Sequence, residues 1–156
     1  MNKYIAYFLS PLFYFCVAMA GRAFTAQGLD SWYQTIAKPS YTPAGSVIGA
    51  AWTLIFILSA LSLVLFIKKG QGKRHFRLIV SLYIFNGIIN AAWSYLFFTK
   101  HLIAFAVIDA GLIGITVLLI IILTRQYSLI ASILLVPYFV WVSFATFLTY
   151  AIYKIN

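Results

Sequence analysis

Asp30 and Asp109 are the only acidic side chains in this 156-residue chain, and there is no glutamate. Carboxylate-pair catalysis needs both groups close to one reacting bond. Asp30 lies in a turn-rich stretch and Asp109 inside an apolar run, so they belong to different layers. The two histidines, His75 and His101, flank an apolar run and are expected on opposite faces of whatever that run crosses. Cys16 is the single cysteine and also lies in an apolar run. It cannot close an intramolecular disulfide and reads as a small buried hydrophobe, so it indicates no redox compartment. No familiar metal-ligand spacing, haem ligand at mid-depth or phosphate-binding glycine loop of Walker or dinucleotide type is present. What remains is Asp109, Asn86 and Asn90 among large aromatics, chiefly Trp52 and Trp141. Flat aromatic walls with few polar groups suit a flat, mostly apolar ligand. Each residue also has a plainer reading. Aromatic stripes pack, and asparagines hydrogen-bond between helices. Asp109 can be neutral, or paired with backbone or a neighbouring Trp or Tyr; as an ionisable group in an apolar run it is the strongest functional candidate.

The elements that must position these residues follow from composition. Hydrophobic residues make up 64% of the chain and charged residues 8%, against about 25% charged in soluble domains. A crossing of a ~30 Å hydrocarbon core takes roughly 20 helical residues. The expected fold is all-α: one transmembrane domain of five helices at about 4–24, 46–67, 78–98, 102–123 and 129–153. In the first run, Lys3, an apolar stretch and Ala18-Met19-Ala20 also resemble a cleavable signal peptide, but the run is aromatic-rich and continues past the cut, which favours a retained helix. Residues 25–45 form the one long connection, with turn-forming Gly28, Pro39 and Pro43 beside interfacial Trp32, Tyr33 and Tyr41. Loops of that length between packed helices are often functional.

The net charge of +9 would suggest nucleic acid in a soluble protein. Here the bases sit between apolar runs and read as topology signals and lipid-headgroup contacts, so no nucleic-acid partner is expected. Lys3, Lys68, Lys69, Lys73, Arg74, Arg77 and Arg125 share one side, against Arg22, Lys38, Lys100 and Lys154 on the other. The excess predicts a multi-pass protein of the cell membrane with its N-terminus cytoplasmic, its C-terminus outside and the long loop outside.

At 1.5 Å per residue, Asn90 falls roughly 12 Å, Asp109 roughly 10 Å and Trp52 roughly 9 Å below the outer helix ends. Trp141 and Ala145 fall in a similar layer. Asn86, Asn90, Trp93 and Phe97 form one helical stripe, as do Tyr138, Trp141, Ala145 and Leu148; Trp52 aligns with Phe56. Pro137 removes a backbone bond, frees the carbonyl of Ile133 and is expected to bend the fifth helix. Gly45-x-x-x-Gly49, Gly87-x-x-x-Ala91 and Ala110-x-x-x-Gly114 offer small faces for close packing or a homodimer. Leu148 to Lys154 fits a loose sterol-contact pattern that interfacial anchoring explains equally well.

Three segments carry a family resemblance. Trp32-Tyr33-Gln34-Thr35-Ile36-Ala37-Lys38-Pro39-Ser40-Tyr41-Thr42-Pro43, followed by Trp52-Thr53, resembles the first-loop signature of the TspO/MBR family, the translocator proteins or peripheral-type benzodiazepine receptors. Asn90-Ala91-Ala92-Trp93-Ser94-Tyr95-Leu96-Phe97-Phe98 is similar to the helix-three motif, and Pro137-Tyr138-Phe139-Val140-Trp141-Val142-Ser143-Phe144-Ala145-Thr146 to the helix-five motif. The resemblance implies a five-helix bundle, often dimeric, with a pocket closed by the first loop. It implies binding of porphyrins such as protoporphyrin IX and of isoquinoline carboxamides, with sterol binding in eukaryotic members and light-dependent porphyrin breakdown in some bacterial ones. Carried over, the pocket comprises Tyr33, Pro43, Trp52, Asn90, Ala110, Trp141 and Ala145, beside Asp109 from the polarity argument. Trp52 and Trp141 would be the catalytic pair if photochemistry occurs. Tyr41, Ala44 and Leu148-Thr149 depart from the family pattern and bear on loop rigidity and ligand preference.

The expectation is therefore a tetrapyrrole-binding membrane receptor or sensor that requires no cofactor. Its rivals are a porphyrin photo-oxidising enzyme and a porphyrin or lipid transporter. The expected partners are the tetrapyrrole, the bilayer and a second copy of the chain.

Overall fold

The computed structural model describes the backbone of residues 3–156 and side chains from Tyr7 onward. The helices are α1 (Lys3–Ala26), α2 (Trp32–Thr35), α3 (Gly45–Gly70), α4 (Phe76–Ser94), α5 (Ile103–Arg125), α6 (Leu129–Ile133) and α7 (Val136–Ile155). There is no strand among the described residues. A π-helical turn, Tyr95–Thr99, continues α4, and α6 and α7 stack into one span. Five segments are thus long and apolar enough to cross a membrane: Tyr7–Ala26, Gly45–Gly70, Phe76–Thr99, Ile103–Arg125 and Leu129–Ile155. The side chain of Lys3, counted above with the basic side, lies outside the described residues.

Large apolar side chains point outward as well as inward. Phe8 is 69% exposed, Ile108 70% and Val140 62%. In water each such side chain would forgo roughly 25 cal/mol for every Å² left unburied; against lipid tails it forgoes nothing. The molecule is a multi-pass membrane protein.

Inside the bundle α5 packs against α4 and α7, and α1 against α3 and α4. Close approach at the α1–α4 contact depends on Gly87, since a Cβ there would stand 2.6 Å from the Phe13 ring and 3.1 Å from Val17. Ala110 is buried and a Cβ on Gly114 would be 3.7 Å from Val142, so that small face serves the α5–α7 contact. Gly45 and Gly49 have nothing within 4 Å of a Cβ, which leaves theirs open.

The two ends of the bundle differ. The end holding the Gly70–Phe76 turn and the α5–α6 turn, called here the basic end, is tied by backbone-directed hydroxyls. The Ser62 hydroxyl reaches the Ala131 carbonyl (2.6 Å) and lies 2.6 Å from the Tyr83 hydroxyl, joining α3, α4 and α6. Ser132 donates to the Ile121 carbonyl (2.9 Å). The other end, the aromatic end, is roofed by residues 27–44 and the 100–102 turn.

Three features depart from the expected elements. The fifth span is interrupted near Pro137: α6 stops at Ile133 and α7 begins at Val136 with Pro137 in its first turn, where a missing amide hydrogen is tolerated, and Leu134 and Leu135 between them keep right-handed backbone. The long loop contains the short helix α2. The third span ends in a π turn, closed by the Lys100 amide on the Tyr95 carbonyl (3.0 Å). Pro11 lies within α1, which runs unbroken from Lys3 to Ala26.

Candidate functional site

The middle of the aromatic half is organised by Tyr138. Asn90 Nδ2 donates to its hydroxyl (2.8 Å), and the hydroxyl donates to Asn86 Oδ1 (2.8 Å). Asn86 Nδ2 passes the chain on to Thr116 Oγ1 (2.7 Å) and the Ile113 carbonyl (3.1 Å). Four side chains from α4, α5 and α7 are thereby locked in a connected network, which is how buried polar groups become favourable rather than costly. Asn86 is accordingly interhelical glue, whereas Asn90 stands at the network's edge toward the loop.

Around that edge lie the large aromatics. Trp52 on α3 meets Tyr138 edge-on at 6.0 Å and stacks on Phe56 at 5.7 Å. Trp141 follows Tyr138 by one turn of α7 and leans on Phe144 at 5.7 Å. Trp93 follows Asn90 by one turn of α4 and stacks on Phe97 at 5.1 Å and 12°. Asp109 on α5 is half-buried and within electrostatic reach of the Tyr138 hydroxyl. Three polar atoms in this layer are enclosed by protein yet have no hydrogen-bond partner: Asp109 Oδ2, Trp93 Nε1 and Trp141 Nε1. At the deeper levels, the buried hydroxyls of Ser59 and Thr124 adjoin Tyr14 and Tyr83.

Above this layer sits an aromatic lid. Tyr33 on α2 packs on Phe97 (6.1 Å) and Phe98 (5.5 Å). Trp32 meets Phe97 at 5.3 Å and stacks on His101 at 4.2 Å. Burial raises the Tyr33 phenol above its ordinary value, so it stays protonated. The lid is pinned at several points. Gly28 lies so close to the π turn that a Cβ there would meet the Phe98 carbonyl oxygen at 2.2 Å. The Asn156 side chain accepts from the Ala37 amide (3.0 Å) and donates to the Ala37 carbonyl (3.0 Å), joining the loop to the end of α7. Lys38 Nζ donates to the Tyr33 carbonyl (2.6 Å) and lies 4.5 Å from the Tyr33 ring centre. Farther along, Tyr41 stacks on Phe147 of α7 at 5.9 Å.

The structure therefore joins Trp52 and Asn90 through Tyr138, with Trp141 and Asp109 beside it. Ala110 is buried on α5, and Ala145 is half-buried one turn beyond Trp141. Tyr33 stands with Phe97 and Phe98 in the lid rather than with Trp52, and Pro43 is half-buried two residues ahead of α3. Tyr138 and Trp93 join the site without being among the residues that the sequence motifs assign to it. Both sit on the recognised inward stripes, Tyr138 three before Trp141 and Trp93 three after Asn90, so the stripes held the signal. Among the described residues no group of three His, Cys, Asp or Glu side chains could hold a metal.

Comparison with known proteins follows the same segments. A family model described as the TspO/MBR family matches residues 10–154. The tryptophan-rich protein TspO of Bacillus cereus is 39% identical over 127 residues, covering 81% of each chain. That of Archaeoglobus fulgidus is 34% identical over 154 residues, 99% of this chain and 97% of its own. The human translocator protein is 28% identical over 127 residues, 80% of this chain and 75% of its own.

Proposed function

This chain belongs to the TspO/MBR family, and from that premise we propose that it is a membrane receptor or sensor for porphyrins and similarly flat, mostly apolar ligands. The observation that carries this reading is the trio of enclosed, unpartnered polar atoms, Asp109 Oδ2, Trp93 Nε1 and Trp141 Nε1, in an aromatic layer roofed by the loop. Leaving a buried polar atom unpaired costs about 1–3 kcal/mol. A tetrapyrrole offers aromatic faces for Trp52, Trp93 and Trp141, N–H groups for Asp109 and carboxylate acceptors for the indoles. The binding residues are Trp52, Asn90, Asp109, Ala110, Trp141 and Ala145, with Tyr33 and Pro43 in the covering loop. The basic end faces the cytoplasm, because six of its bases lie in Lys68–Arg77 and the α5–α6 turn. The open Gly45–Gly49 strip is available to a second copy.

Titration of the purified protein with protoporphyrin IX, followed by porphyrin absorbance, tests the reading. Replacing Trp52 and Trp141 by Phe together with Asn90→Ala is expected to weaken binding roughly tenfold or more, from the lost indole N–H groups and carboxamide and from altered stacking. Unchanged affinity would remove this layer as the binding site.

The unpaired Trp141 indole favours one second reading, photo-oxidation of the bound porphyrin. The pigment would absorb the light, dissolved dioxygen would be the oxidant that finally accepts its electrons, a nearby indole would relay an electron between them, and the lid would exclude water. Illumination should then give a new absorbing product more slowly when both Trp52 and Trp141 are replaced. Equal rates would reduce the protein to a container.

A further inference from the structure

The opposite end of the bundle carries a feature that the porphyrin reading does not use. Lys68, Lys69, Lys73, Arg74, Arg77 and Arg125 are all exposed there. The chain has two acidic side chains, Asp30 in the covering loop and Asp109 in the aromatic half, so neither can neutralise this end. At the aromatic end, by contrast, Lys38 is held by two carbonyls and a ring, and Lys100 lies 5.4 Å from the Tyr95 ring centre. The cations of the basic end need an external counter-charge.

The backbone that carries them is firmly shaped. Gly72 (φ 79°) and His75 (φ 63°) both take the left-handed conformation, which curls the chain tightly between α3 and α4. For a histidine that conformation is uncommon and persists only where the surroundings enforce it. The Lys73 amide bonds the Gly70 carbonyl (2.9 Å), and the Tyr127 hydroxyl of the neighbouring turn bonds the Arg74 carbonyl. A cavity of about 670 Å³ opens beside the turn, and its lining includes Lys73, His75 and Arg77 together with Phe76 and Leu78. Basic groups and apolar carbon thus meet at one opening.

The apolar side continues into the membrane. Leu78 (51% exposed), Phe85 (43%) and Ile88 (57%) lie on one exposed stripe of α4. The stripe runs about 15 Å, half the thickness of a hydrocarbon core. It ends at an apolar groove between α1 and α4 lined by Cys16, Ala20, Ile88, Ala91 and Tyr95.

We propose that the α3–α4 turn binds the phosphate of an anionic glycerophospholipid through Lys73 and Arg77, with an acyl chain laid along the Leu78–Phe85–Ile88 stripe of α4. Charge complementarity selects the head, since a zwitterionic headgroup brings its own cation against Lys73 and Arg77. The stripe selects a lipid over a free phosphate. This site is separate from the porphyrin layer and stands or falls without it.

Native mass spectrometry of the full chain released from detergent tests the assignment. The probes are phosphatidylglycerol, phosphatidylcholine with the same acyl chains, and glycerol 3-phosphate. The wild type is expected to retain phosphatidylglycerol over phosphatidylcholine, and Lys73→Gln with Arg77→Gln to reduce that preference roughly thirtyfold, about a kilocalorie per base. The control Lys100→Gln with Lys154→Gln should leave it intact. Either single variant, Lys73→Gln or Arg77→Gln, should lose part of the preference and serves if the double variant does not fold. Wild-type retention in the Lys73/Arg77 variants, an equal loss in the control, or equal retention of phosphatidylcholine would overturn the proposal. Glycerol 3-phosphate displacing the lipid would overturn it too, by making the site one for soluble phosphate.

Discussion

The aromatic end and the basic end use their few polar residues in opposite ways. At the aromatic end the chain folds back on itself: rings meet rings, Lys38 and Lys100 turn onto local carbonyls and aromatic faces, and Asn156 clasps Ala37. At the basic end the backbone is just as firmly tied, through Ser62, Ser132 and Tyr127, but the charges point away from it. Lys38 and Lys100 are met by neighbouring groups at one end, whereas the six bases of the other are left to the surroundings. The exception within the aromatic half is the set of unpartnered atoms beside Tyr138, on which the proposed porphyrin site rests.

The largest test of this contrast is glycine geometry. Gly28→Ala drives a Cβ into the Phe98 carbonyl and is expected to destabilise the protein by about 3 kcal/mol, read as an earlier unfolding transition in detergent. At the basic end Gly72→Ala meets no neighbouring atom, so it should carry only the left-handed backbone penalty, about 1–2 kcal/mol. Equal losses at the two positions would show that the lid is not packed as described. Tyr138→Phe comes next. It strips partners from Asn86 and Asn90 at once and should cost about 1–2 kcal/mol, within the range of interhelical hydrogen bonds in membranes. It should also weaken porphyrin binding, because Asn90 loses the hydroxyl that holds its amide in place, while the ring facing Trp52 remains.

How much of this was legible beforehand depended on which face of a helix mattered. The five spans follow from length and hydropathy alone, because only a closed backbone ladder survives in lipid. The inward stripes on α4 and α7 were readable because Asn86, Asn90 and Tyr138 are polar in otherwise apolar runs. The role of Tyr138 as the hub was not readable. It depends on the rotation of α7 relative to α4 and α5, and apolar residues on both the lipid and the bundle side leave that rotation unmarked. The helix break was half visible in Pro137, whose missing amide hydrogen fixes where hydrogen bonding fails but not whether the helix bends or restarts. The short helix α2 and the π turn left no periodic trace, being a turn or so long.

Two smaller effects sharpen the comparison further. Asn156→Ala removes both bonds to Ala37 and one to Ile152, and should cost about 1 kcal/mol while speeding amide exchange at Ala37. Lys68→Gln with Lys69→Gln removes exposed charges without an internal partner among the described residues, and should move stability by less than about 0.5 kcal/mol. A larger loss from the lysine pair than from Asn156 would reverse the assignment of which end is held together from within.

The π turn at Tyr95–Thr99 has a consequence for how this chain can change over evolutionary time. Consecutive residues of a regular helix point about 100° apart, yet Phe97 and Phe98 are both buried and their rings meet at 4.9 Å. The wider turn holds one residue more than the ladder requires, so a single deletion there would restore ordinary winding without severing the span. It would also swing one of the two rings toward lipid and reset the angular phase of everything beyond it, including the Trp32–His101 stack. Length variation at this spot is therefore a route by which descendants of one bundle could acquire differently shaped lids while keeping the same five crossings.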